Sequence, residues 1–158
     1  MGDHIVISAS SVYGYEVDEA FINATSYNSA TDTTTLTLST PLTYTHLGEV
    51  VTVPGNDHIL DMRAEVAVLN RNVVFEGEEA STTQYMFGAH IMFSTPSYHP
   101  VRATGRFEQI ELRNTGQAFR LGRYTVHWHL HGHTHYGSWM KGCATHTSWN
   151  RAVTIHGT

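Results

Sequence analysis

The sequence predicts an all-β chain: a short antiparallel segment followed by coils of a parallel β-helix. Three observations carry this. Helical periodicity is nearly absent. Ser, Thr, Val, Ile, Tyr and Phe dominate short alternating runs set between turn residues. Beyond about residue 58 two strand motifs recur in alternation at similar offsets.

Taken in order, residues 4–8, 20–24, 34–38 and 49–53 read as strands. Thr33 to Leu38 alternates most clearly, Pro41 follows it, and residues 28–32 have the composition of a hairpin loop. Residues 1–57 therefore read as an antiparallel segment. From 58 to 158, strands are expected at 59–69, 72–75, 87–93, 106–112, 124–130, 138–145 and 152–156. One series comprises 73–77, 110–114 and 142–146; the other comprises 88–91, 125–129 and 153–157. Val73 to Ile110 and His90 to His127 are both steps of 37, Ile110 to Cys143 is 33 and His127 to His156 is 29. Stacked coils with insertions in their loops produce such interleaved series. Period-2 strands alone fit a sandwich equally well.

Composition narrows the function classes. Nine Lys+Arg against 14 Asp+Glu give a net charge of -5, which excludes the basic footprint of a nucleic-acid binder. At 41% hydrophobic the chain is too apolar for disorder, yet no run approaches 18 apolar residues, so membrane insertion is not expected. Cys143 is alone, which rules out an internal disulfide and fits a small buried side chain. No signal peptide is read ahead of His4, and no capping segment is visible after Ile155. Uncapped coils predict a piece of a longer protein, with self-association through exposed strand edges. Asn23-Ala24-Thr25 is a glycosylation sequon compatible with secretion.

The 12 histidines are the unusual feature, since full protonation would carry the charge from -5 as far as +7. His127, His129, His131, His133 and His135 alternate. On one straight strand all five would share a face, with the outer two roughly 26 Å apart. A single ion with ~2.0–2.1 Å bonds cannot gather them. Gly132 is expected to break the strand and put His133 and His135 on a loop. The stacking offsets select His90, His127, His129 and His156 instead, on adjacent coils. That donor set suits a divalent ion, zinc first. Histidine ladders that only pack and hydrogen-bond are the competing reading.

Other side chains extend the candidate site. Arg123, Arg151 and Arg63 are carboxylate clamps by type, with a structural pairing to Asp61 or Glu65 the competing reading for Arg63. Trp128, with Tyr124, Trp139 and Trp149, reads either as a sugar-stacking platform or as core. His146 belongs to the other strand series and reaches the site only near a corner. After residue 80 the only acids are Glu108 and Glu111, so the carboxylate pair of glycoside hydrolysis is missing there. Cleavage by elimination would need a His or Arg base and a cation on the sugar carboxylate.

Three stretches carry a family resemblance. The first runs from Asp61-Met62-Arg63-Ala64-Glu65-Val66 through Leu69-Asn70-Arg71-Asn72-Val73-Val74-Phe75-Glu76-Gly77. The second is Gly122-Arg123-Tyr124-Thr125-Val126-His127-Trp128-His129, and the third joins Gly142-Cys143-Ala144-Thr145-His146 to Asn150-Arg151-Ala152-Val153-Thr154-Ile155-His156-Gly157. Together they resemble the right-handed β-helix region of the cell migration-inducing hyaluronan-binding protein, the transmembrane hyaluronidase and fibrocystin-like proteins. Residues 1–55 resemble the end of the glycine-rich β domain that precedes that helix. The resemblance implies a secreted or cell-surface module that binds an acidic, hyaluronan-like polysaccharide. Its rivals are a structural or adhesive spacer and a polysaccharide-cleaving enzyme. Residues 130–135 depart from the family pattern, which has one polar loop after His129.

Overall fold

The computed structural model describes residues 2–95, 103–130, 132 and 137–157. Strands dominate, as the sequence predicts, and their pairing separates two units, Met1–Asn70 and Arg71–Thr158. In the first the sheets are antiparallel; in the second the named strands pair in parallel.

The first unit holds β1 (His4–Ile7), β2 (Asp18–Asn28), β3 (Thr33–Leu38), β4 (Val50–Thr52), β5 (Ile59–Asp61) and β6 (Val66–Val68). One sheet has the order β3-β2-β1-β6, and β4 and β5 form a separate ribbon. Alternation in β1 puts Ile5 and Ile7 on the covered face, with Ala20 opposite Ile5. Asp18 closes the same face opposite Ile7. Its carboxylate accepts the Thr43 and Tyr44 amide N–H groups and the His46 Nε2, at 2.9–3.0 Å. His46 in turn sets its Nδ1 2.9 Å from the Ser8 carbonyl oxygen. Asp18 thus ties the chain after β3 back to the sheet.

The expected strand 59–69 is two strands. The Asp61 carboxylate takes both the amide N–H and the Nε–H of Arg63, a local turn that an extended strand cannot accommodate. Both pieces pair antiparallel, so antiparallel structure continues to Val68 and the units divide after Asn70, beyond the expected change at residue 58.

The second unit holds β7 (Val73–Glu76), α1 (Glu79–Tyr85), β8 (Ile91–Ser94), β9 (Arg106–Glu108), β10 (Ile110–Thr115), β11 (Val126–His129), β12 (Trp139–Lys141), β13 (Ala144–Ser148) and β14 (Val153–His156). Its sheets are β7-β10-β13, β8-β11-β14 and β9-β12, so each takes every third strand. The expected strands 106–112 and 138–145 each divide where the chain passes from the β9-β12 sheet to its neighbour. That third sheet was not separated by the sequence reading. Helix α1 was missed as well, because seven residues are too few to show a period.

Bends fall at equivalent places in paired strands. Glu108 pairs with Lys141, and the following residues, Gln109 and Gly142, have φ of 54° and 56°. Asn114 and Thr147 repeat this after the Arg113–His146 pair, with φ of 52° and 49°. Leu130 and Gly157 repeat it after His129–His156, with φ of 44° and 66°. At Gly157 any Cβ would lie 2.7–2.9 Å from Leu130, so glycine is required for this close approach.

The inward residues of all three sheets meet in one core. Leu112, Val126 and Trp128 are buried, with Ile91, Phe93, Phe107, Ile110 and Met140 packed against them. Trp128 is 3% exposed and stacks on Phe93 at 5.2 Å, with Phe107 edge-on at 6.2 Å. The reading of Trp128 as a sugar platform is corrected: its ring is core.

Two predictions follow from these contacts. Leu112→Ala removes a fully buried side chain and should cost about 3 kcal/mol in denaturant unfolding. The Tyr44 N–H above all, then His46 and Thr43, hold the Asp18 carboxyl down at about 2. A depressed carboxylate stabilises the fold above its unfolded pKa, and that contribution drains as pH falls from 3.8 towards about 2. Circular dichroism of an acid titration should show this loss in wild type and a flatter profile, from a lower starting stability, in Asp18→Asn.

Candidate metal centre

With Val126 and Trp128 of β11 in the core, strand alternation sends His127 and His129 to the opposite face. Parallel pairing with β14 then brings His156 directly opposite His129. The three ring centroids are 4.8–5.0 Å apart. One nitrogen from each lies within 4.8 Å of the others, so the three can hold a metal ion. Tetrahedral ligation at ~2.0–2.1 Å needs donors roughly 3.3 Å apart, within reach of small side-chain rotations.

His127 is prepared for that role. It is 1% exposed, and its Nδ1–H donates to the Gly122 carbonyl oxygen at 2.9 Å. This leaves the lone pair on Nε2, which is buried and has no hydrogen-bond partner. Gly122 has φ of 82°, and a Cβ there would lie 3.8 Å from the ring, so glycine allows the turn over the imidazole. Burial, chiefly, pushes the His127 pKa below 6.5; the nearby histidines add to this, and the Gly122 carbonyl works against it. His129 Nδ1 and His156 Nε2 are 2.9 Å apart, so one proton serves both nitrogens. An ion would replace it.

The three histidines line a cleft of about 560 Å³ with Arg123, Tyr124 and Arg151. Tyr124 meets His127 edge-on at 4.8 Å, and the Arg151 guanidinium lies 5.4 Å from the Tyr124 ring centre. Among the described residues no carboxylate side chain lines this cleft, and the sequence has no Asp or Glu after Glu111.

Arg123 and Arg151 thus reach the cleft, but other expected site residues fall elsewhere. The pairing offsets in this sheet are 35 and 27, in place of the 37 and 29 read from sequence: His127 faces Met92 and Thr154, and His129 faces Ser94 and His156. A slip of two keeps a side chain on its face but moves it about 6.6 Å along the strand. His90 is therefore not gathered with the other three. Its Nε2 accepts a hydrogen bond from Arg123 Nη1 at 2.7 Å, and burial followed by the Arg123 charge lowers its pKa. His90 positions Arg123. His146 lies in the β7-β10-β13 sheet, 3.1 Å from the buried Glu111 carboxylate, which also accepts from Arg113 and the Arg71 amide. It does not line the cleft. His99, His131, His133 and His135 lie outside the described residues. The Gly122 carbonyl was missed by sequence reasoning; Gly122-Arg123-Tyr124 just ahead of the strand was its signal.

Comparison with known proteins finds a family match over the part of the chain that carries these histidines. Residues 86–158 match the CEMIP beta-helix family. The whole chain is similar to Fibrocystin-L of Homo sapiens, 36% identical over 99% of the chain, and to the human Cell surface hyaluronidase CEMIP2, 31% identical over 99%. A G8 domain-containing protein of Dictyostelium discoideum is 32% identical over the full chain. The chain spans 4%, 11% and 10% of the lengths of these relatives. Among the described residues no helix is long and apolar enough to cross a membrane.

The two depressed histidines give a measurable signature. In an NMR titration, His127 and His90 should protonate below the ordinary 6.5. In the window just below 6.5 the unfolded chain binds the extra protons, so these groups make the fold lose stability on acidification. His127 titrating at or above 6.5 would contradict the buried, unprotonated Nε2.

Proposed function

We propose that the chain is part of an extracellular β-helix module that binds an acidic, hyaluronan-like polysaccharide beside a divalent ion held by His127, His129 and His156. The observation that carries this is the cleft itself: three convergent imidazoles and two arginines, with no carboxylate lining it. Three imidazoles with an open fourth position suit zinc. Arg123 and Arg151 match the planar carboxylate of a uronic acid, for which guanidinium offers paired N–H donors. The similarity to Cell surface hyaluronidase CEMIP2 supports both the glycan class and a cell-surface location.

The every-third-strand order and the repeated left-handed bends support right-handed parallel β-helix coils after an antiparallel β segment. Binding is favoured over hydrolysis, because the paired carboxyl groups of glycoside hydrolysis are missing from the cleft.

Elemental analysis and affinity electrophoresis on hyaluronan test the reading. Wild type should carry zinc and be retarded, and chelation should weaken both. His127→Ala combined with His129→Ala should abolish metal and retardation together. Arg151→Ala should keep the metal and weaken glycan binding about tenfold. A double variant with unchanged metal and retardation sinks the proposal, and shortening of the hyaluronan would favour an enzyme.

A further inference from the structure

The loop from Gln117 to Arg123 is tightly fixed. The Gln117 N–H donates to the Arg123 carbonyl, Arg123 to Arg120 and Ala118 to Met86. Asn150 Nδ2 clamps it from the β13–β14 connection, donating to the carbonyls of Gln117 at 2.8 Å and Arg120 at 3.1 Å. This rigid loop nonetheless presents Phe119 at 95% exposure and Leu121 at 94%. Bare apolar side chains on a fixed loop contribute nothing to the core.

That surface is a shallow, open groove. Phe119, Arg120, Leu121, Tyr124, Trp149 and Arg151 line a groove of about 350 Å³. Leu121, Tyr124 and Arg151 also line the histidine cleft, so the two are continuous. We infer that this groove is a second subsite for an acidic polysaccharide chain that runs out of the histidine cleft, with Phe119 and Trp149 stacking on sugar rings and Arg120 and Arg151 taking carboxylates. This rests on the glycan reading of the cleft.

The chemistry alternates as such a polymer does. A pyranose ring offers an apolar C–H face to an aromatic side chain, and each uronate offers a carboxylate to a guanidinium. No acidic residue lines the groove to repel it. A flat anionic bilayer would meet Phe119 and Leu121 alone, whereas an extended chain also follows the lining shared with the histidine cleft.

Binding of a hyaluronan tetrasaccharide and a dodecasaccharide, by calorimetry on the full chain, tests this. Phe119→Ser alters a side chain without packing contacts to lose, and Trp149→Ala probes the other wall. Wild type should bind the dodecasaccharide more tightly than the tetrasaccharide. Each variant should lose about tenfold in dodecasaccharide affinity, with tetrasaccharide affinity and metal content unchanged. Variants that bind the dodecasaccharide like wild type overturn the groove and leave the cleft reading standing. So does a Phe119→Ser loss confined to phosphatidylserine vesicles. A wild-type chain that binds neither oligosaccharide overturns both readings.

Discussion

The stack of Trp128 on Phe93 is the contact on which the second unit depends. Both rings are centred in their strands, they are paired in register, and Phe107 closes them from the third sheet. Because side chains alternate along a strand, anchoring Trp128 inward leaves His127 and His129 no choice but the other face. The histidine cleft is in this sense the reverse side of the aromatic core. A one-residue slip of β11 would bury the imidazoles in apolar surroundings and expose the indole, a double cost that holds the register.

The two faces of β11 also divide the polar chemistry. Buried polar groups are normally satisfied, and most of those around the core are: the Thr115 and Thr125 hydroxyls share a bond at 2.8 Å, and Ser148 continues the chain at 2.9 Å. Glu111, 2% exposed, is satisfied by Arg113, His146 and the Arg71 amide. Among the described residues the buried atoms without a partner are His127 Nε2, His90 Nδ1, the Trp128 and Trp139 indole nitrogens and Thr154 Oγ1, and of these only His127 belongs to the three-histidine cluster. A neutral, pre-oriented imidazole with a bare lone pair suits a ligand better than a structural role. His146, though equally a strand histidine, is already committed to a carboxylate.

Much of this was legible in the sequence. The 33- and 37-residue steps of the first strand series match the observed Glu111–Ala144 and Ile110–Val73 pairings. Arg123 and Arg151 were read as clamps and do line the cleft. Less was legible where short-range signals compete. The Asp61–Arg63 turn interrupts an apolar run that otherwise reads as one strand. Trp128 had equal claims as platform and core, since an aromatic residue between two histidines alternates identically in either role.

The sequence by itself determined the strand-rich class, the alternation of the histidines, the scarcity of carboxylates beyond residue 80 and the family resemblance. Each is a property of residue order or composition. Only the tertiary structure decided which histidines meet. Alternation has a period of two, so pairing offsets of 37 and 35 leave every side chain on the same face and look alike in sequence. Loop lengths and core packing choose between them, and that choice sends His90 to Arg123 and brings His156 to His129.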